Sequence, residues 1–393
     1  MSSSSSASIQ RYHQQFPGLV NKAYFNFGGQ GPMPKTAMEA VYRAYEYVQQ
    51  QGPFSSKVND WIQQEISTTR AAIAAELGVP AETIALTENV TIGCNIVLWG
   101  LPWQAGDHIL LTDCEHPGVI AVIKEVARRF GVRVSTCPMM ATLNRGNPAG
   151  VIEQYLQPTT RLVVLSHILW NTGQVLPLSE IVQVCHQHQS QVPTQVLVDA
   201  AQSVGSLALN LPETGVDFYA FTGHKWLCGP AGVGGLYVSP AALGQLNPTY
   251  AGWRGINIDS AGMPKNWKTN STRFEVATSA YPLYAGLRAA IALHNQWGSS
   301  HERYAQIIKN SEYLWQGLSL LPKIQCLRTS APESGLISFR LKADIPHTQL
   351  VQALEQQGFC LRTLINPDCV RACVHYMTLA AEMDQLIRVL ASL

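Results

Sequence analysis

The chain has 393 residues, 46% apolar and only 13% charged, with a net charge of +1. That length exceeds one compact core and predicts two domains. The near-zero charge offers no electrostatic footprint for nucleic acid or an anionic membrane, and no apolar run of about eighteen residues predicts a membrane span.

Nine cysteines are scattered without a Cys-x-x-Cys pair. Their odd number argues against a disulfide framework and for a reducing, cytoplasmic compartment. The opening Met1-Ser-Ser-Ser-Ser-Ser-Ala is low in complexity, reads as disordered, and lacks the apolar core of a secretory signal. In Ala23-Tyr-Phe-Asn-Phe-Gly-Gly-Gln-Gly31 a short apolar strand meets a glycine cluster. Gly28 and Gly29 read as a plain turn or as backbone that approaches a ligand closely.

Helical periodicity covers 36–51 and 58–77, and Gly78-Val-Pro80 stops the second helix. Thr83-Ile-Ala-Leu-Thr87 reads as a strand, and Glu88-Asn-Val-Thr-Ile-Gly-Cys-Asn95 opens an apolar helix. Such an entry presents free N–H groups and a positive dipole end, which suits a phosphate, and Thr91 adds a hydroxyl. A threonine N-cap without ligand fits the local sequence equally well. His108-Ile-Leu-Leu-Thr112 is a strand that runs into Asp113-Cys-Glu-His116. A helix spans 119–130. Arg161-Leu-Val-Val-Leu-Ser166 is a buried strand leading to Asn171 and Gly173. Cys185-His-Gln-His188 sits on a predicted helix without a second ligand cluster, so no metal site is expected.

Val196-Leu-Val-Asp-Ala-Ala-Gln202 is a buried strand ending on Asp199, with Gln202 expected to start a helix. Asp217-Phe-Tyr-Ala-Phe-Thr222 is another apolar run, followed by Gly223-His-Lys225. Open α/β sheets bind ligands outside the carboxyl ends of their strands. An acid and an amine are therefore both delivered to that rim. An aspartate can hold a pyridinium nitrogen protonated, and a lysine can condense with an aldehyde; pyridoxal phosphate requires both of its protein. Gly229-Pro-Ala-Gly-Val-Gly-Gly235 lacks Gly-Lys-Ser/Thr and precedes a strand, so it is neither a P-loop nor a dinucleotide fingerprint.

The strings Val-Asp-Ala-Ala-Gln and Thr-Gly-His-Lys, at this separation, resemble the class V aminotransferase and cysteine desulfurase family of fold type I pyridoxal phosphate enzymes. The resemblance extends over nearly the whole chain. It implies an α/β fold with a large domain built on a mostly parallel seven-stranded sheet. A small C-terminal α/β domain completes it. The expected boundaries are 1–30 for an N-terminal segment packing on the small domain, 31–285 for the cofactor domain and 286–393 for the small domain.

The resemblance also implies roles. Lys225 carries the cofactor and is the general base, Asp199 holds the ring nitrogen, and His116 stacks on the ring. Asn171 and Gln202 lie near the phenolic oxygen. Thr91, Thr222 and His224 serve the phosphate. Gly28, Gly29 and Trp253 fall in segments expected at the substrate site, Trp253 in an irregular stretch that could equally be an interface. Arg362 and Arg371 match substrate-carboxylate arginines, whose guanidinium forks pair bidentately with carboxylates. Arg273-Phe-Glu-Val-Ala-Thr278 resembles the family's Glu-x-Gly-Thr, with Ala277 in place of glycine. It implies a homodimer in which Thr278 contacts the neighbouring subunit's cofactor phosphate.

One departure bears on mechanism. Cysteine desulfurases carry a nucleophilic cysteine on a glycine-containing loop between the two arginines. Here Thr363-Leu-Ile-Asn-Pro-Asp-Cys-Val370 is shorter, lacks glycine, and sets Cys369 at a strand start. The expected activity is therefore β-elimination on cystine or cysteine, giving pyruvate, ammonia and a persulfide or sulfide that could feed an iron–sulfur acceptor protein. The alternatives are a desulfurase forming alanine and an enzyme persulfide, a class V aminotransferase, or a non-catalytic binding module.

Overall fold

The computed structural model describes residues 9–343 and 345–393; the serine-rich opening lies outside them. Its centre is a seven-stranded sheet built from β2 (Ile84–Thr87), β3 (His108–Thr112), β4 (Arg133–Cys137), β5 (Thr160–Ser166), β6 (Gln195–Asp199), β7 (Phe218–Thr222) and β8 (Gly234–Val238). The order is β2-β8-β7-β6-β5-β3-β4. Every pair is parallel except the two that β8 makes. The label β1 belongs to Ala23–Tyr24.

The central strands are apolar throughout because both faces are covered. Side chains alternate across a strand with period two. Leu110, Val163, Leu165, Val196, Val198, Tyr219 and Phe221 accordingly enter one core. Ile109, Leu111, Leu162, Val164, Leu197, Phe218 and Ala220 enter the other. Helices α1 (Lys35–Gln51), α2 (Ser56–Leu77), α3 (Val90–Gly100), α4 (Pro117–Phe130), α5 (Pro148–Tyr155) and α6 (Leu178–Gln187) connect and cover these strands. Ser55 caps α2 at its start, and Gly78, at φ +67°, ends it in a left-handed turn where glycine carries no Cβ penalty.

A hairpin of β9 (Ile256–Ile258) and β10 (Pro264–Trp267) projects from the irregular stretch before α7 (Tyr281–Trp297). Residues 285 and 286 lie inside α7, so the two halves are joined by a continuous helix. Beyond it, α8 (Ser300–Ser319), α9 (His347–Gln356) and α10 (Ala380–Ala391) pack with a four-stranded antiparallel sheet. That sheet comprises β11 (Ile324–Cys326), β12 (Leu336–Leu341), β14 (Arg362–Ile365) and β15 (Asp368–Cys373), in the order β11-β12-β15-β14. Strand β1 pairs in parallel with β13 (Phe359–Cys360), and Ala23 and Phe25 enter the C-terminal core beside Phe339 and Val370.

One local expectation fails. Gln202 starts no helix: residues 201–206 form turns. The Ser203 and Ser206 amides bond three residues back, and Gly205 takes φ +89°. That left-handed residue breaks the run before a helix can propagate. The Cys185–His188 stretch is absorbed by the fold: Cys185 is core, His186 pairs with Asp217 at 2.9 Å, and His188 bonds the Gln157 carbonyl.

Candidate active site

The parallel strands β3, β5, β6 and β7 end on one rim. Strand register sets Ser166 beside Asp199 and Asp199 beside Ala220. A cavity of about 920 Å³ opens there, lined by Asp199, Lys225, His116 and residues of the β14–β15 hairpin. It lies where an open α/β sheet is expected to bind ligands.

Lys225 and Asp199 dominate its floor. Burial lowers the Lys225 amine to about 8, Asp199 pulls it back up, and Arg371 and Arg362 push it further down. A larger share of the amine is therefore neutral near physiological pH than in an ordinary lysine, and the neutral form is the nucleophile and base. Burial raises Asp199; the Ala201 amide, at 2.9 Å, lowers it along with Lys225 and His116. No cationic side chain forms an ion pair with Asp199 among the described residues. A protonated ring nitrogen would supply the missing cation.

One end of the cavity is made for an anion. Asn89, not Thr91, caps α3, accepting from the Ile92 amide at 3.0 Å. Thr91 sits at the second helical position and lines the cavity. Thr222 and His224 face it from the end of β7 and bond each other at 2.6 Å. A helix start, two hydroxyls and an imidazole suit a phosphate. Gly93 lets α3 approach this closely, since a Cβ there would sit 2.8 Å from that of Ala220.

The other end carries two guanidinium groups. Arg362 and Arg371 are register partners on β14 and β15. Like charges directly opposite destabilise a strand pair. Arg371 is 1% exposed; it donates to the Trp170 carbonyl at 2.7 Å, its Nε has no partner, and it has no carboxylate partner among the described residues. A buried cation left uncompensated costs several kcal/mol. A substrate carboxylate would complete it. Gly28 belongs here: a Cβ would come within 2.9 Å of Gln202 Oε1 and 3.1 Å of Arg371 Nη2. Gly29 also lines the cavity.

Asn171 and Gln202 reach the site already engaged. Asn171 donates to the Asn366 carbonyl at 3.2 Å and leaves its own oxygen without a partner. Gln202 donates to the Gly28 carbonyl and accepts from the Trp226 indole, both at 2.9 Å. His116 caps α4 through its Nδ1, which accepts the Gly118 amide, and its ring stands edge-on to Trp170. One expected residue is not brought in. Trp253 is 57% exposed and does not line this chain's cavity. The loop that holds it is pinned by Arg254 to Glu275, at 2.6 Å. Thr278, expected at a neighbouring subunit's cofactor, is exposed outside this chain's cavity.

Sequence reasoning passed over Glu115, which is fully buried. It accepts from Thr112 at 2.6 Å and from the Ser166 amide and hydroxyl at 3.0 and 2.9 Å. Burial raises it to about 8 against those donors. It fastens the loop that carries His116 to the end of β5. Its adjacency to His116 in the Glu-His pair was the available signal. Trp170 and Asn366 were also missed, because only strand register and hairpin packing bring them to the wall. Cys369 is fully buried opposite Leu364, and burial raises its thiol to about 11.

The model of the class-V aminotransferase family matches residues 23–390. The chain belongs to that family. Among relatives, it is 31% identical over 294 residues to a cysteine desulfurase of Escherichia coli O17:K52:H18, spanning 72% of this chain and 68% of the relative. It is 32% identical to isopenicillin N epimerase of Streptomyces clavuligerus over 63% of this chain; that match spans 60% of the epimerase's own length. A solved structure of the cystine C-S lyase C-DES with its reaction product cysteine persulfide is 55% identical. It superposes with a TM-score of 0.94, covering 96% of this chain and 99% of that one. A lysine-to-alanine variant of C-DES, with glycine covalently linked to the PLP cofactor, gives a TM-score of 0.95. The fold is fold type I, with the mostly parallel seven-stranded sheet the sequence implied.

Proposed function

We propose that this member of the class-V aminotransferase family is a pyridoxal-phosphate-dependent C–S lyase acting on cystine. The observation that carries the reading is the pairing, in one cavity, of a buried carboxylate lacking a cation with a buried guanidinium lacking an anion. Asp199 suits a protonated ring nitrogen, Lys225 the aldehyde carbon, and Thr91, Thr222 and His224 the phosphate. When bound, pyridoxal phosphate supplies an electron sink that makes the substrate's Cα–H acidic.

The chain's own groups do the rest. Arg371 takes the α-carboxylate and fixes which face of Cα is presented. Lys225, with its amine lowered to about 8, accepts the Cα proton. Breaking the Cβ–S bond expels the sulfur pair as cysteine persulfide. Persulfides are more acidic than thiols, so this group leaves more readily than sulfide does from cysteine. The balance is cystine plus water giving pyruvate, ammonia and cysteine persulfide, with no external oxidant. Buried Cys369 supports elimination over transfer to an enzyme thiol, since the thiolate is the nucleophile.

The active form is a homodimer. Exposed Thr278 and Trp253 face away from their own cavity, and Met38, Tyr42 and Tyr45 form an exposed stripe at helical spacing on α1. An apolar stripe of this kind marks an interface. No described helix is long and apolar enough to cross a membrane. The released persulfide can donate sulfur to an iron–sulfur acceptor protein. Product analysis after incubation with cystine and with cysteine tests the reading: pyruvate with persulfide supports it, and stoichiometric alanine sinks it in favour of a desulfurase.

A further inference from the structure

The cavity holds two charged groups that the proposed reaction leaves unused, Arg362 and Asp113. Asp113 follows the end of β3, is exposed, and lines the same cavity as Arg362 and Arg371. Its Oδ1 accepts from the Met140 amide at 2.8 Å and from Cys114 Sγ at 3.4 Å. Those bonds fix the carboxylate through one oxygen and leave Oδ2 without a partner. No cationic side chain pairs with it among the described residues. The other lining acids are engaged differently: Glu115 is held by three donors, and Asp199 is buried beside Lys225.

We infer that Asp113 is a specificity-determining residue that receives the distal ammonium of a disulfide-linked bis-amino acid; the inference rests on the lyase reading above. A single cysteine presents one amine and one carboxylate. Lys225 with the cofactor and Arg371 satisfy both, which leaves Arg362 and Asp113 unmatched. Cystine carries one further carboxylate and one further ammonium on its leaving half. Arg362 and Asp113 are one further cation and one further anion lining the same cavity. The complementarity is in number and sign. It selects a zwitterionic leaving group and disfavours disulfides that bear only one of the two charges.

The test compares two substrates in the holoenzyme. One is cystine; the other is the mixed disulfide of cysteine with 3-mercaptopropionate, which keeps the distal carboxylate and lacks the distal amine. Pyruvate release gives kcat and KM for each. The native enzyme should favour cystine in kcat/KM by about fivefold or more, the scale of a solvent-facing charge pair. Asp113→Asn should erase that preference through KM with kcat on cystine retained, and Asp113→Glu should restore part of it. Asp113→Ser keeps an acceptor for the Met140 amide and serves if the asparagine variant fails to fold. Pyruvate from both disulfides with the native ratio preserved in the variants overturns the inference alone. Absence of pyruvate from both disulfides overturns the lyase reading and this inference with it.

Discussion

At the scale of single residues, the site is a set of charges that the fold leaves unneutralised. Lys225 is the clearest case. Its amine, lowered to about 8 by burial, gains its reactive neutral form as pH rises. Capture of pyridoxal phosphate by the apoprotein, trapped with borohydride, should therefore accelerate about tenfold per pH unit below 8 and level off above it. Peptide mapping should place the reduced adduct on Lys225, and label on any other lysine contradicts the assignment. Arg371 supplies the complementary test. It is buried with its Nε unpartnered, so Arg371→Ala removes a charge-assisted pair worth roughly 2–5 kcal/mol. KM should rise at least about thirtyfold; cofactor affinity should hold, since Arg371 is assigned to the substrate carboxylate and not to the phosphate. Unchanged substrate binding would place the carboxylate site elsewhere.

At the scale of elements, the β14–β15 hairpin decides the sulfur chemistry. Strand pairing runs from Arg362 with Arg371 to Ile365 with Asp368, so the turn between them is tight. Cys369 is buried opposite Leu364, on the same face of β15 as Arg371, and does not line the cavity. A persulfide carrier needs an exposed, low-pKa thiolate on a loop with reach, and this hairpin offers neither. Cys369→Ser should keep most of the pyruvate-forming activity, with a modest stability loss from burying a hydroxyl in place of the thiol. A dead variant, or alanine in place of pyruvate, defeats elimination as the mechanism. The same hairpin shows why Asn366 escaped the sequence reading. Its carbonyl meets Asn171 across 195 positions of chain. No local pattern encodes such a contact.

At the scale of the whole molecule, the incomplete surroundings of Thr278 and Trp253 point to a second copy. Sedimentation at assay concentration should show a dimer. Thr278→Ala should weaken pyridoxal phosphate binding by about three- to tenfold if its hydroxyl reaches the partner's phosphate, as one charged hydrogen bond is worth roughly 1 kcal/mol or more. A fully active monomer would sink the dimer. The sequence by itself determined the chemistry of the rim, while the seven-stranded sheet came from the family resemblance its motifs carry. Continuous apolar runs ending on Asp199 and Thr222, with Lys225 just beyond, are local and chemically specific, and strand direction forces them to a common rim. It also determined that Cys369 would pack, because proline and a strand start are local constraints. Only the tertiary structure decided the rest. It turned Gln202 into a turn residue, since Gly205 at φ +89° stops the helix that the pattern suggested. It moved the α3 cap from Thr91 to Asn89, since backbone geometry, not residue type, chooses the cap. It buried Glu115, exposed Asp113 and set two arginines side by side, because charge neutralisation depends on which distant segments meet, and no local sequence pattern carries that information.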